Sequence, residues 1–186
     1  MAGGRDNVIA ELVTDHREVE EMFTRFDKAI SGSEDRKQIV HEFTIELVRH
    51  SVAEEEHLYP AVRRHVPGGD APTDKEIKDY AGVEKPLKQL EQLPPSAATF
   101  DELVAALQAE VAGHVRDEEN NLFLRLREAC NEAELLDLGD KIRSAKKTAP
   151  TRPHPYAPSM PPGYKLLAPG TGLVDRVRDF LAGRGR

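Results

Sequence analysis

The chain has 186 residues, of which 32 % are charged and 5 % aromatic, with no Trp and a net charge of −7. No apolar run is long enough to span a bilayer and a single cysteine, Cys130, cannot form an internal disulfide, so membrane-spanning and disulfide-stapled classes are excluded. A soluble, mostly helical protein is expected; the absence of an apolar leader at the start and the lone cysteine suit a cytoplasmic location.

Leu12, His16, Val19, Phe23, Phe26 and Ile30 step by three and four residues and predict a first helix, ended by Ser31-Gly32-Ser33. Val40, Phe43, Leu47, His50, Glu54 and Ala61 predict a second, ended by Pro67-Gly68-Gly69. Ile77, Tyr80, Val83, Leu87 and Leu90 mark a third, which Pro86 and Gly82 should kink, and Pro94-Pro95 close it. Phe100, Leu103, Leu107, Val111, His114, Glu118 and Leu122 mark a fourth. Thr73 with Glu76 and Thr99 with Glu102 have capping-box spacing at the starts of the last two. A shorter helix over 132–146 follows. Short connections predict an all-α, up-down-up-down four-helix bundle over residues 1–147 with a short fifth helix. Residues 148–186 are expected to form an extended, Pro-rich tail ending in a short amphipathic helix around Leu173–Leu181, whose apolar face should dock. Residues 141–186 hold ten Lys/Arg against two Asp, whereas 1–140 hold sixteen against thirty-one acids. The basic tail is therefore expected to lie on its own acidic body or on an acidic protein partner.

A shift of 64 residues brings His50 onto His114, Glu54 onto Glu118, Leu58 onto Leu122 and Tyr59 onto Phe123; upstream, Asp15-His16 falls on Asp79-Tyr80. One helical hairpin thus occurs twice. In His-x-x-x-Glu the two side chains share a helix face one turn apart and can reach one metal. All these groups sit in apolar stripes, where an unpartnered carboxylate costs several kcal/mol, a cost that a cation removes. The candidate ligands are His16, His50, Glu54, Tyr80, His114 and Glu118. His57, about 20° from His50 around the helix, is a lesser candidate. Asp15 and Asp79 are positioned to orient an imidazole on a neighbouring helix. Glu55, Glu119, His41, His65 and His154 read as surface residues, and Cys130 as a small packing residue.

Asp15-His16, His50 to Glu54-Glu55, Leu58-Tyr59-Pro60, and the second copy at His114, Glu118-Glu119 and Leu122-Phe123 resemble the hemerythrin-like, or HHE cation-binding, domain. The tail is similar to the Pro-rich extension of some actinobacterial members. The resemblance implies two non-haem iron ions bridged by the two glutamates and an oxo or hydroxo ligand. Glu-x-x-His at i, i+3 marks the ferritin-like di-iron bundles instead. Tyr80 departs from the family, which usually has a histidine there. A phenolate at that position would favour ferric iron; the alternative is that Tyr80 only packs beside the site.

Counting bridging groups, about two coordination positions stay open, so the expected ligands are the small molecules O2, H2O2 or NO. Nothing in the chain suggests a nucleotide loop, a nucleic-acid surface or a nucleophile with its base. H2O2 decomposition or defence against reactive oxygen and nitrogen species is the leading expectation. The alternatives are a non-catalytic O2, NO or iron sensing module and an iron donor for repair of iron centres.

Overall fold

The structure, a computed structural model, describes residues 6–154 together with 174, 175, 178 and 179. Helix α1 (Val8–Lys28) starts at Asn7, whose side chain accepts the Ala10 N–H at 3.1 Å. It stops short of Ile30, which is 81 % exposed; the apolar stripe overruns the helix because Gly32, at φ +74°, turns the chain towards the next N-cap, Ser33. Helix α2 (Glu34–Ala53) runs through a π-helical turn, Glu54–Leu58, into α3 (Tyr59–His65). Helix α4 (Asp70–Gln92) continues through Pro86. Helix α5 (Ala98–Asp117) passes through a second π turn, Glu118–Leu122, into α6 (Phe123–Ala129). Helix α7 (Glu132–Thr148) completes the set.

Four rods (α1, α2–α3, α4 and α5–α6) joined by short connections give the expected all-α bundle. α4 pairs with α5, and α7 lies against α1 and α2. Gly139 permits that last contact: a Cβ there would stand 2.6 Å from the Asp6 carbonyl oxygen. No described helix is long and apolar enough to cross a membrane.

Neither predicted capping box forms. α4 begins three residues before Thr73, and α5 begins at Ala98 without a side-chain cap. A capping box appears instead at Asn131, whose side chain accepts the Glu134 N–H while Glu134 accepts the Asn131 N–H. The Thr73–Glu76 spacing misled because Glu76 is used elsewhere, as described below.

The apolar core is divided. One cluster joins Phe23, Phe43, Leu87, Leu90, Phe100 and Leu107; the other joins Leu12, Leu58, Val62, Leu122, Leu126 and Ile142. Each fully buried Leu or Phe contributes about 1.5–3 kcal/mol. Along each of three rods the boundary between clusters falls at or within a turn of a histidine: at His16, between Leu12 and Val19, just past His50, between Val52 and Ala53, and past His114, between Val115 and Leu122.

Basic residues towards the C-terminal end do lie on the acidic body. Arg143 pairs with Glu11, Lys146 with Asp15 and Arg152 with Glu91. Arg152 and Thr151 also bind Asp179, and His154 binds Asp175 at 2.8 Å, so His154 is half-buried and engaged, not a surface residue. In the C-terminal segment Asp175 and Asp179 are buried while Val174 is 55 % exposed. Val174 therefore does not belong to an inward apolar face; Leu173, Val177, Phe180 and Leu181 lie outside the described residues.

Candidate metal centre

The two π turns occupy the same register in the repeat, beginning at Glu54 and at Glu118. Up to those residues the helices are α-helical, so His50 and Glu54, like His114 and Glu118, share a face. Beyond them the Tyr59 N–H bonds to the Glu54 carbonyl and the Phe123 N–H to that of Glu118, five residues back. The extra residue rotates Tyr59 and Phe123 towards the face they would leave in a regular helix. Tyr59 accordingly donates its hydroxyl to Glu54 Oε2 at 3.2 Å and lies 3.5 Å from Glu118 Oε1. Phe123 stacks on His16, with centroids 5.8 Å apart and planes 6° from parallel. Pro60 follows the first turn, but Leu124 holds its place after the second. Proline is therefore not what opens the turn.

Three imidazoles point inward on the same principle. His50 Nδ1 donates to Asp15 Oδ2 at 3.1 Å, His16 Nδ1 to Glu119 Oε1 at 2.8 Å, and His114 Nδ1 to Glu76 Oε2 at 2.7 Å. A carboxylate only accepts, so each Nδ1 carries a proton and each Nε2 turns towards the centre. There His50 Nε2 is 3.1 Å from Glu54 Oε1, His16 Nε2 is 3.4 Å from Glu118 Oε2, and His114 Nε2 is 3.5 Å from Glu118 Oε2 and 3.8 Å from Glu54 Oε2.

Donor atoms of His16, His50, Glu54 and Glu118 all lie within 4.8 Å of one another, and so do those of Glu76, His114 and Glu118. Glu118 belongs to both groups, and Glu54 approaches His114 across them, so the two groups share their carboxylates. His16 Nε2, His50 Nε2, Glu54 Oε1 and Glu118 Oε2 are buried without a hydrogen-bond partner among the described residues. Such orphaned atoms are costly. Facing one another as imidazole nitrogens and carboxylate oxygens, they fit one or two divalent or trivalent cations.

The electrostatics agree. Burial pushes the Glu118 carboxyl up, and Glu54 beside it adds to this. Burial acts on Glu54 in the same sense, but His50 and His114 outweigh it and hold Glu54 well below the carboxylate range. Burial disfavours charge on His50, yet Glu54 and Asp15 raise it to about 10; His114, against Glu118, Glu54 and Glu76, is also raised. Without a cation, protons on His50 and His114 take over its role, and binding a metal must expel them.

Of the six candidate ligands, His16, His50, Glu54, His114 and Glu118 are brought together. The Tyr80 hydroxyl donates to the Leu47 carbonyl at 3.3 Å and lines a cavity beside the imidazoles. The carboxylate that α4 brings to the centre is Glu76, one turn earlier. His57 Nε2 lies 3.7 Å from Glu56 and is in neither donor group. Asp15 orients His50 as expected; Asp79 instead pairs with Lys75. Glu119 is half-buried on His16 and Arg17, not a solvated residue. Glu55 is buried as well, and burial, with Glu84, Glu54 and Glu56 nearby, pushes its carboxyl up to about 8. The repeat explains the contrast: Glu119 meets His16, while the position matching His16 opposite Glu55 is Tyr80. Glu76 and Tyr59 were missed. The clue to Tyr59 was its place in the repeat, opposite Phe123; Glu76 has no counterpart signal.

A cavity of 490 Å³ between α4, α5 and the first two rods reaches His16, His50 and His114, with Tyr80, Gly82 and Gly113 in its wall. A Cβ at Gly113 would meet nothing within 4 Å.

Comparison with known proteins places these features in context. The family model described as the hemerythrin HHE cation-binding domain matches residues 7–126. An uncharacterised hemerythrin-like protein of Schizosaccharomyces pombe is 26 % identical over 175 residues, 91 % of this chain and 84 % of that protein. A DNA nickase of Nostoc sp. is 30 % identical over 140 residues, 75 % of this chain but 39 % of the nickase. The crystal structure of a hemerythrin HHE cation-binding domain-containing protein from Mycobacterium kansasii matches the fold with a TM-score of 0.67 at 22 % identity, over 76 % of this chain and 86 % of that one.

Proposed function

The chain belongs to the hemerythrin HHE cation-binding family, and from that membership we propose a protein that holds two non-haem irons and reacts with a small oxidant, H2O2 first among them. The observation that carries this reading is the buried layer of orphaned imidazole nitrogens and carboxylate oxygens. His16 and His50 would hold one iron and His114 the other, with Glu54 and Glu118 between them and Glu76 and Asp15 as outer carboxylates. Bound iron would supply the electron exchange with peroxide; the chain supplies the rest. The carboxylate-rich set favours the ferric state, as the Tyr80 phenolate was expected to do. The Tyr59 hydroxyl stands where a proton can be offered at the shared carboxylates, and the cavity gives a small molecule a route to the imidazoles. Disproportionation balances on peroxide alone, two H2O2 giving two H2O and one O2.

The test is iron analysis with an optical spectrum on protein from iron-replete cells, followed by O2 evolution from H2O2. Two irons and sustained O2 release are expected, both lost in Glu54→Ala/Glu118→Ala. A double variant that keeps two irons overturns the ligand assignment; a loaded protein that evolves no O2 overturns the peroxide reading.

A second reading, sensing of a gas or of iron, draws support from α4. This helix carries Glu76 at the centre and, further along, Glu84 and Glu91, which engage His154 and Arg152. Iron- or gas-dependent change in the protection of 151–154 would favour it. Residues 1–140 hold sixteen Lys/Arg against thirty-one acids, a poor match for nucleic-acid phosphates.

A further inference from the structure

A second group of metal donors stands apart from the polar layer. His65 ends α3, Cys130 caps the C-terminus of α6, and Glu134 lies in the first turn of α7. Donor atoms of the three all fall within 4.8 Å of one another. No sequence spacing announces this, since His65 and Cys130 are 65 positions apart and come from opposite halves of the repeat.

Each donor is fixed by its own backbone. The Cys130 N–H bonds to the Leu126 carbonyl at 3.0 Å, and the sulfur flanks the lower apolar cluster. The Asn131 N–H holds one Glu134 carboxylate oxygen at 2.8 Å, while Asn131 Oδ1 accepts the Glu134 N–H at 3.0 Å. His65 sits on the last turn of a helix that ends at Val66. Neither the His65 ring nor the Cys130 thiol makes a hydrogen bond to a described residue, so their donor atoms remain open.

We propose that His65, Cys130 and Glu134 form a second metal site, for a borderline-soft divalent cation of the zinc type. One thiolate, one imidazole and one carboxylate make three of four tetrahedral positions and leave the fourth to water. A thiolate in the set discriminates against hard cations such as Mg2+ and Ca2+. His65 and Cys130 are half-buried and Glu134 is exposed, so a cation reaches them from solvent without opening the bundle. Burial and Glu134 raise the Cys130 thiol above its ordinary value; a bound cation reverses that effect and displaces the thiol proton. The site would tie the end of α3 to the α6–α7 corner.

Cys130 is the chain's only cysteine, so any metal–thiolate signal reports this site and not the layer above it, which contains no sulfur donor. The experiment uses the full-length, iron-loaded protein. Added Co2+ should give a near-ultraviolet sulfur-to-cobalt band that saturates at one equivalent, and Zn2+ should slow alkylation of Cys130 by iodoacetamide. Cys130→Ser should abolish the band. His65→Ala and Glu134→Ala should each weaken Co2+ binding at least about tenfold. Iron content should not change in any of the three, which separates this site from the iron reading; the thiolate readouts hold whether or not that reading survives. No thiolate band at saturating Co2+, or an alkylation rate that Zn2+ leaves unchanged, overturns the proposal. A band that survives His65→Ala at undiminished affinity overturns it too, because the thiol would then be binding alone.

Discussion

Behind each inward imidazole stands a carboxylate, and behind each carboxylate a cation. Lys146 binds Asp15, Arg17 binds Glu119 at 2.8 Å, and Lys75 lies 3.8 Å from Glu76. The three differ in strength. The Lys146 side chain is 17 % exposed, whereas Lys75 is 52 % exposed and bound more closely by Asp79 and Asp117. Lys146→Met should therefore weaken metal binding roughly 10- to 100-fold in a chelator competition, Lys146→Arg should restore most of it, and Lys75→Met should change little. Unaltered affinity in Lys146→Met would show that Asp15 needs no counter-charge. Tyr59→Phe keeps the packing volume and removes the hydroxyl between Glu54 and Glu118. It should keep the fold and the iron but alter the visible spectrum, and an identical spectrum would dismiss a role for the hydroxyl. The metal-free chain also has a signed pH response. His50, raised to about 10 from its ordinary 6.5, adds stability that is complete below pH 6.5 and lost as pH rises through 10. Denaturant melts of the metal-free protein should weaken over that window, while the loaded protein, whose His50 holds metal instead of a proton, should not.

At the scale of elements, the α4–α5 cleft is the feature most open to test. Gly113→Phe places a ring where a Cβ meets nothing within 4 Å and should narrow the cavity without strain. Iron content should stay as in the unaltered chain, while reaction with a bulky organic hydroperoxide slows more than reaction with H2O2; equal slowing, or none, would place the access route elsewhere. The rods themselves were legible from the stripes, and His16, His50, Glu54, His114 and Glu118 from the stripes combined with the repeat. What lay hidden has physical reasons. The π turns leave no mark on a three-and-four pattern, because the apolar residues on both sides keep their local spacing while the phase between them slips. Glu76 was masked because Thr73-x-x-Glu76 reads as a helix start, and only the approach of α5 shows that this carboxylate is committed to His114. Tyr80 stood in the register of His16, yet register places a Cα and not the reach of a side chain. Glu55 and Glu119 look alike in sequence and differ in partner because His16 and Tyr80 differ.

For the whole molecule, metal is expected to count as a structural component. A cation held a thousandfold below its free concentration stabilises the folded state by about 4 kcal/mol, or roughly 10 °C in a domain of this size. Chelation should lower the melting temperature by about that amount, and Glu54→Ala/Glu118→Ala should show no such difference. The divided core has a further consequence. Two apolar clusters, each too small to be a domain, flank a stratum of imidazoles and carboxylates. Loaded with a cation that stratum is a weld; empty, it is held by the protonated His50 and His114 against their carboxylates but keeps buried atoms with unmet hydrogen bonds, a weaker seam. Metal loading would then decide whether the bundle is one foldon or two. In the metal-free protein the amides around Phe43 and Leu90 would exchange on a different clock from those around Val62 and Leu126, and loading would set both ends to a single one.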